Sequence, residues 1–321
     1  MATAVPPDRT PEGGPGRRPD ANDSTVLVTG ANGFIGSHLV RRLASSGRSV
    51  RAMVRSRDRV DLPDGVEVVQ ADVTKPETLG PAVEGVRVVV HAAALVANLK
   101  EPYRGAYQAV NLRGTTSLVE AALAAKVERF VLLSGMDTQP GNVGSYMATR
   151  WGMEEAVRQG GIPYVILQPS VLFGDGAPFV TELAKLARMF PVVPAIGGGG
   201  VMFQPIWVED VVSYLVACLD RSDLLGGAYP IGGAEQVSFR QIIQALGRAM
   251  GKHRTTLTLP VPVARAAAAC MTAVLPHPPL TPASIELFTL NQTTALDTVY
   301  RDFGLEPRGI VAHLSEHGLA G

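Results

Sequence analysis

At 321 residues with 46% hydrophobic side chains, the chain is long enough to bury one large core and a smaller appended lobe. Lysine plus arginine and aspartate plus glutamate both number 29, so the net charge is zero and composition offers no electrostatic footprint for nucleic acid and no basic face for anionic lipid. The two cysteines, Cys218 and Cys270, lie far apart in predicted helices, which points to a reduced cytoplasmic setting rather than a disulfide framework.

Residues 1–23 are rich in proline, glycine and charge with no apolar run, and read as a disordered tail rather than a signal peptide or membrane span. A buried strand follows at Thr25–Thr29, and then the stretch TGANGFIG from Thr29 to Gly36 opens a helix with Ile35, Leu39, Val40 and Leu43 on one stripe, stopped at Gly47. Glycines at Gly30, Gly33 and Gly36 let the backbone turn tightly and let a pyrophosphate reach main-chain amides, while the helix N-terminus adds unpaired donors and a positive dipole. An ordinary strand-to-helix turn is the plainer alternative. The flanking strand, helix and second strand favour a dinucleotide cradle, with Asn32, Phe34 and Ile35 completing it.

The second strand, Ser49–Val54, runs into Arg55 where an NAD-preferring fold usually places an acid for the ribose 2′-hydroxyl. Arg51, Arg57 and Arg59 are close in sequence, and a guanidinium suits a 2′-phosphate, so NADP is favoured over NAD. A solvated basic loop, or Asp58 in the acidic role, is the alternative. Further strands are predicted at Val66–Val69, Val86–Val90, Arg129–Leu133 and Tyr164–Leu167, with helices at Pro76–Val83, Tyr107–Ala125 and Tyr146–Gln159. This alternation implies a doubly wound parallel α/β sheet of Rossmann type over residues 24–168.

Residues 169–321 are expected to form mainly a smaller, partly discontinuous substrate lobe that returns to the sheet at Tyr229 and Ile231. Helices are predicted near Thr181–Met189 and Glu209–Leu219, and another begins at a capping box of Ser238 and Gln241. The apolar stretch Leu257–Leu275 holds Pro260, Pro262 and Arg265, which argues against a spanning helix. Packing against the core is favoured there over a surface-seeking amphipathic helix.

Tyr146 and Arg150 lie four apart on one face of a predicted helix, and Ser134 ends the fifth strand at the sheet edge where ligands bind. A tyrosine beside a fixed cation suits proton transfer at a carbonyl or alcohol, with the serine hydroxyl holding the reacting oxygen. The alternative is a half-buried helix tyrosine beside a solvent-facing arginine. His313 and His317 share a helix face without a third ligand, so no metal is expected. His38 reads as a surface residue and His91 as a packing group at the end of the fourth strand.

As an ordered set these motifs resemble the extended or atypical short-chain dehydrogenase/reductase family, of the NAD(P)-dependent epimerase/dehydratase kind, over about Thr25–Val237. The resemblance implies an adenine contact at Asp72 and Val73, cofactor contacts at Ala92 and Ala93 within His91–Ala94, and a fourth-helix motif at Asn111, Gly114 and Thr115. It places Gln168, Pro169, Ser170, Val171, Phe173 and Gly174 along the nicotinamide side. Within the family the likeness is to the NAD(P)H-binding branch that includes the complex I nucleotide-binding accessory subunit, through Phe203, Gln204, Pro205, Ile206, Val208, Asp210 and Val211.

Two positions depart from the pattern. The family's Tyr-x-x-x-Lys is here Tyr146-x-x-x-Arg150, and Gln168 stands where relatives often carry arginine. The resemblance implies an NADP-dependent oxidoreductase acting on a small or apolar carbonyl or alcohol, with Tyr146, Arg150 and Ser134 catalytic. The rival expectation is a catalytically weak NADP(H)-holding structural, assembly or sensory protein. A monomer or homodimer is expected, with a small-molecule substrate, no transmembrane segment, and a peripheral membrane or protein partner left open.

Overall fold

The computed structural model describes residues 25–58, 60–142 and 145–318, so the tail expected over 1–23 and Arg59 lie outside the described residues. Strand and helix alternate through β1 (Val26–Thr29), α1 (Phe34–Ser45), β2 (Val50–Val54), β3 (Glu67–Gln70), α2 (Leu79–Val83), β4 (Val88–His91), α3 (Gly114–Ala124), β5 (Arg129–Leu133), α4 (Ser145–Gln159) and β6 (Tyr164–Pro169). The remainder comprises β7 (Leu172–Phe173), α5 (Pro178–Met189), β8 (Val192–Ile196), β9 (Met202–Phe203), β10 (Ile206–Trp207), α6 (Val208–Asp220), β11 (Ala228–Ile231), β12 (Val237–Ser238), α7 (Phe239–Ala249), β13 (Thr255–Leu259), α8 (Val261–Val274), α9 (Pro282–Leu287), α10 (Thr298–Phe303) and α11 (Ile310–His317).

Seven strands form one parallel sheet in the order β11-β6-β5-β4-β1-β2-β3. Strand periodicity divides the core into two layers. Val28, Val90, Val131 and Val165 face α1 and α6, while Leu27, Val89, Leu132 and Ile166 face α2, α3 and α4. Each such aliphatic side chain removed from water contributes about 1.5–3 kcal/mol. The chain winds outward from β1 to β2 and β3, then returns to the opposite side of β1 for β4. Strand order therefore reverses between β1 and β4, which opens a crevice at their carboxyl ends.

Two predicted elements differ in form. The helix expected over Tyr107–Ala125 starts as a π-helical turn at Gln108–Arg113 before α3. Within that turn the Asn111 side chain pairs with the backbone of Leu95, accepting from its N–H at 2.8 Å and donating to its carbonyl at 3.0 Å. The apolar stretch Leu257–Leu275 divides at Pro260 into β13 and α8, because proline has no N–H to continue a ladder and suits the entry to a helix. Of α8 only Ala264 and Ala268 are buried, so the expected packing holds for one narrow side of the helix.

Candidate functional site

The site begins where β1 ends. Gly30 has φ +65, and a Cβ there would stand 2.9 Å from the Ala93 nitrogen and 3.0 Å from the Ala92 carbonyl, so this position admits glycine alone. The Gly33 N–H donates to the Gly30 carbonyl at 2.8 Å, closing the turn, and a Cβ on Gly36 would collide with that same carbonyl oxygen. Gly33 caps α1 without a side-chain hydrogen bond. The amides of Phe34, Ile35 and Gly36, in the first turn, have no acceptor within the helix, which starts after the carboxyl end of β1. Asn32 is exposed, Phe34 stacks edge-on with His38 at 5.6 Å, and Ile35 packs on the core below. A pyridine dinucleotide fits here: the glycines let the turn close tightly on its own backbone, which leaves first-turn main-chain donors and the helix dipole for a diphosphate.

Of the arginines near the end of β2, Arg51 turns away, bonding Glu67 at 2.8 Å and the carbonyls of Ala82 and Glu84. Arg57 donates to the Val68 carbonyl and borders a hollow of about 250 Å³ with Val60, Leu62, Pro63 and Val68. Asp58 accepts from Ser56. Arg55 is exposed and, among the described residues, its guanidinium has no hydrogen bond or ion pair. Asp72 accepts from the Thr74 N–H and hydroxyl, shaping the loop after β3, and Val73 is buried against Gly114 of α3.

His91 is fully buried between β1, β4 and α3 and is more than a packing group. Thr115 donates its hydroxyl proton to the Asn111 carbonyl at 2.5 Å, so it can only accept from His91 Nε2 at 2.9 Å. The ring therefore carries its proton on Nε2. Its Nδ1 accepts at 2.7 Å from Thr29, whose hydroxyl oxygen in turn accepts from the Ala93 N–H. Burial, reinforced by the nearby Arg150 charge, pulls the His91 pKa down to about 3, so the ring stays neutral. This chain of bonds holds Ala92 and Ala93 against Gly30. Sequence reading missed it, although one histidine closing a run of valines opposite Thr29 was the available signal.

Tyr146 and Arg150 are both buried, on the first turns of α4. Arg150 Nε donates to the Tyr146 hydroxyl oxygen at 3.0 Å and Nη1 donates to the Leu133 carbonyl at 3.3 Å. The guanidinium thus ties the tyrosine to the last residue of β5, immediately before Ser134. Among the described residues the buried Ser134 hydroxyl has no hydrogen-bond partner, an orphaned polar atom at the sheet's carboxyl edge. Tyr107 meets Tyr146 edge-on at 5.4 Å and donates to the Leu99 carbonyl, and its own ionisation is pushed up by burial and by Glu101. Asp137, in the loop after Ser134, adopts φ +62, a conformation aspartate tolerates better than most residues.

Glu154, one turn beyond Arg150 and fully buried, accepts from Gln168 with both oxygens and from Arg158 at 2.6 Å. Gln168 thereby anchors α4 to β6. Pro169 ends β6. Ser170 spends its hydroxyl on later segments of the chain, donating to the Gln292 carbonyl at 2.8 Å and accepting from the Gln204 N–H. The Val171 carbonyl accepts from the Ile206 N–H. Gln204 is structural as well, bridging Gly233 and Thr294, while Asp210 caps the Arg308 amide. His38 is half-buried and bonds Glu209 of α6 at 2.6 Å, which corrects its reading as a surface residue. Among the described residues no His, Cys, Asp and Glu cluster could hold a metal, and His313 stacks on His317 at 4.8 Å.

The family described as NAD(P)H-binding matches residues 30–189. Ceramide reductase of Caulobacter vibrioides is 32% identical over 250 residues, covering 74% of each chain. The mitochondrial NADH dehydrogenase [ubiquinone] 1 alpha subcomplex subunit 9 of Arabidopsis thaliana is 26% identical over 306 residues, covering 91% of this chain and 75% of that one. The solved structure of MoeE5 in complex with UDP-glucuronic acid and NAD superposes with a TM-score of 0.64 at 27% identity, over 74% of this chain and 86% of the other. With its glycine turn, switch-point crevice and Tyr-x-x-x-Arg helix in place, the chain belongs to the NAD(P)H-binding proteins of the extended, atypical short-chain dehydrogenase/reductase and epimerase kind.

Proposed function

We propose that the chain is an NADP(H)-dependent oxidoreductase acting on an apolar carbonyl or alcohol. The observation that carries this reading is the Tyr146–Arg150 pair, tied to Leu133 next to a Ser134 hydroxyl that has no partner among the described residues, at the same sheet edge as the glycine turn. A bound nicotinamide would supply or accept the hydride. Arg150 donates to the phenol oxygen, so the Tyr146 proton is left to be given to a substrate oxygen, and the guanidinium stabilises the negative charge that develops on the phenol. Ser134 holds that oxygen with its free hydroxyl. In the reverse direction the same groups take up the alcohol proton. Arg55 meets the 2′-phosphate, Ala92, Ala93, Asp72 and Val73 border the adenosine half, and the main chain of Pro169, Ser170 and Val171 borders the nicotinamide half.

The apolar character of the substrate is supported by the side chains around Tyr146, which include Ala97, Tyr107, Met147 and Ala283, and by similarity to a ceramide reductase. A free exposed Cys270 suits a reducing, cytoplasmic compartment. A second reading, a nucleotide-holding protein without turnover, is favoured by one feature: Arg150 is spent on internal bonds to Leu133 and Tyr146. The experiment that separates them is NADPH oxidation with a panel of long-chain carbonyls, alongside calorimetric titration of NADPH and NADH. Binding with turnover supports the oxidoreductase, binding without turnover supports the second reading, and no binding of either nucleotide removes both. Arg55→Ala should weaken NADPH by about tenfold or more, the worth of a charge-assisted hydrogen bond, and change NADH by less than about twofold.

A further inference from the structure

The neutral whole-chain charge conceals a regional asymmetry. Residues 236–285 contain Arg240, Arg248, Lys252, Arg254 and Arg265 and not one aspartate or glutamate, an excess that the whole-chain balance hides. The same segment carries apolar side chains that the fold leaves in water. Leu257 on β13 is 67% exposed, and Val263 and Val274 on α8 are 53% and 79% exposed. Val263, Ala266, Cys270 and Val274 recur at helical spacing on the outward side of α8, opposite Ala264 and Ala268, which pack near Ile196 and Ile285.

This face is joined to the rim of the candidate site. Lys100 donates to the Leu275 carbonyl at 3.2 Å and Thr281 donates to the Ala97 carbonyl, so the loop after β4 is latched to the end of α8 and the start of α9. That loop exposes Leu99 and Tyr103, while its inner residues Ala97 and Tyr107 pack with Tyr146 and with Ala283 of α9. Apolar side chains thus run from the surroundings of Tyr146 out to Leu99, Tyr103, Val274 and Leu275. An exposed apolar patch with Arg265 on its helix, Lys100 on its loop and a tyrosine at its margin matches the polarity of a membrane interface. No helix among the described residues is long and apolar enough to cross a bilayer, so the contact is superficial.

We infer that α8 and the Leu99–Tyr103 loop dock on an anionic membrane surface and admit a lipid-class substrate to Tyr146 from the bilayer side. The substrate part rests on the oxidoreductase reading, whereas the docking part stands on the surface alone. Cys270 offers a direct probe, since it is exposed on the docking stripe while Cys218 is buried and its thiol is pushed up to about 12 by that burial.

The test uses the full chain, unlabelled for cosedimentation and labelled at Cys270 with an environment-sensitive fluorophore, against phosphatidylcholine vesicles with and without phosphatidylglycerol. Expected are a blue shift and sedimentation with the anionic vesicles, weakened about tenfold or more by omission of phosphatidylglycerol or by high salt. The double variant Leu99→Glu with Val274→Glu should lose vesicle binding while keeping its melting temperature and its upshift with NADPH. Absence of binding by the parent, or undiminished binding by the folded double variant, overturns the proposal. So does light scattering that finds a dimer split by the double variant, which would make this face an interface between two copies. A chain that binds vesicles yet oxidises no NADPH keeps the docking and loses the oxidoreductase reading, and one that turns over a soluble carbonyl but ignores vesicles does the reverse.

Discussion

Tyr146 and Arg150 form a two-point arrangement that lysine cannot copy. The guanidinium reaches the phenol oxygen through Nε and the Leu133 carbonyl through Nη1, a planar fork that a compact ammonium lacks. On the oxidoreductase reading Tyr146→Phe removes the proton donor and should lower kcat by about 10²–10⁴-fold while leaving nucleotide affinity intact, which steady-state kinetics beside calorimetry checks. Arg150→Lys should lower kcat by about tenfold, the loss of one charge-assisted hydrogen bond, and a rise in turnover would show that arginine restrains the site. The spacing of this pair was legible in the sequence because residues four apart share a helix face. Its hydrogen-bond pattern was not, since the Leu133 carbonyl comes from another element.

At the scale of elements, β1, its turn and α1 act as one unit in which each glycine has a different reason to be glycine. Gly36 lies beneath the Gly30 carbonyl, so Gly36→Ala forces the turn open and should abolish the thermal upshift with NADPH while costing about 1–3 kcal/mol of stability, read by thermal melts with and without nucleotide. Gly47 has φ +74 in open space and only terminates α1, so Gly47→Ala should cost about 1–2 kcal/mol and leave nucleotide binding unchanged. Apolar periodicity disclosed α1, α4 and the buried strands because their pattern is local. The π-helical entry to α3 and the division at Pro260 were less visible: the first depends on Asn111 meeting Leu95, and the second is a proline that either a kinked helix or a strand–helix break would accommodate.

Across the whole molecule, His91 joins β1, β4 and α3 at the switch point, and its neutrality couples stability to pH. The folded chain holds the ring neutral down to about pH 3, whereas an unfolded histidine protonates near 6.5, so between these values the unfolded state binds the additional proton. Stability consequently falls as pH is lowered through that window, by up to about 1.4 kcal/mol per pH unit from this group. Denaturant titrations between about pH 7 and pH 5 should show a shallower pH dependence for His91→Gln than for the parent, and equal slopes would remove His91 as the coupling group. The later part of the chain is joined to the end of β6 in a comparable way, with Ser170 and Gln204 binding Gln292, Thr294 and Gly233 across long sequence separations.

By itself the sequence determined the parallel doubly wound sheet, the phosphate-type turn and the candidate tyrosine helix, because each is encoded in side-chain period or in glycine spacing within a few consecutive residues. Only the tertiary structure decided which groups those residues meet. The Thr29–His91–Thr115 chain, the burial of Glu154 with Gln168, the commitment of the Ser170 hydroxyl and the exposure of the α8 stripe beside Leu99 arise where segments far apart in sequence converge. No local pattern encodes such a meeting, since it is set by strand order and by long-range pairing between distant segments.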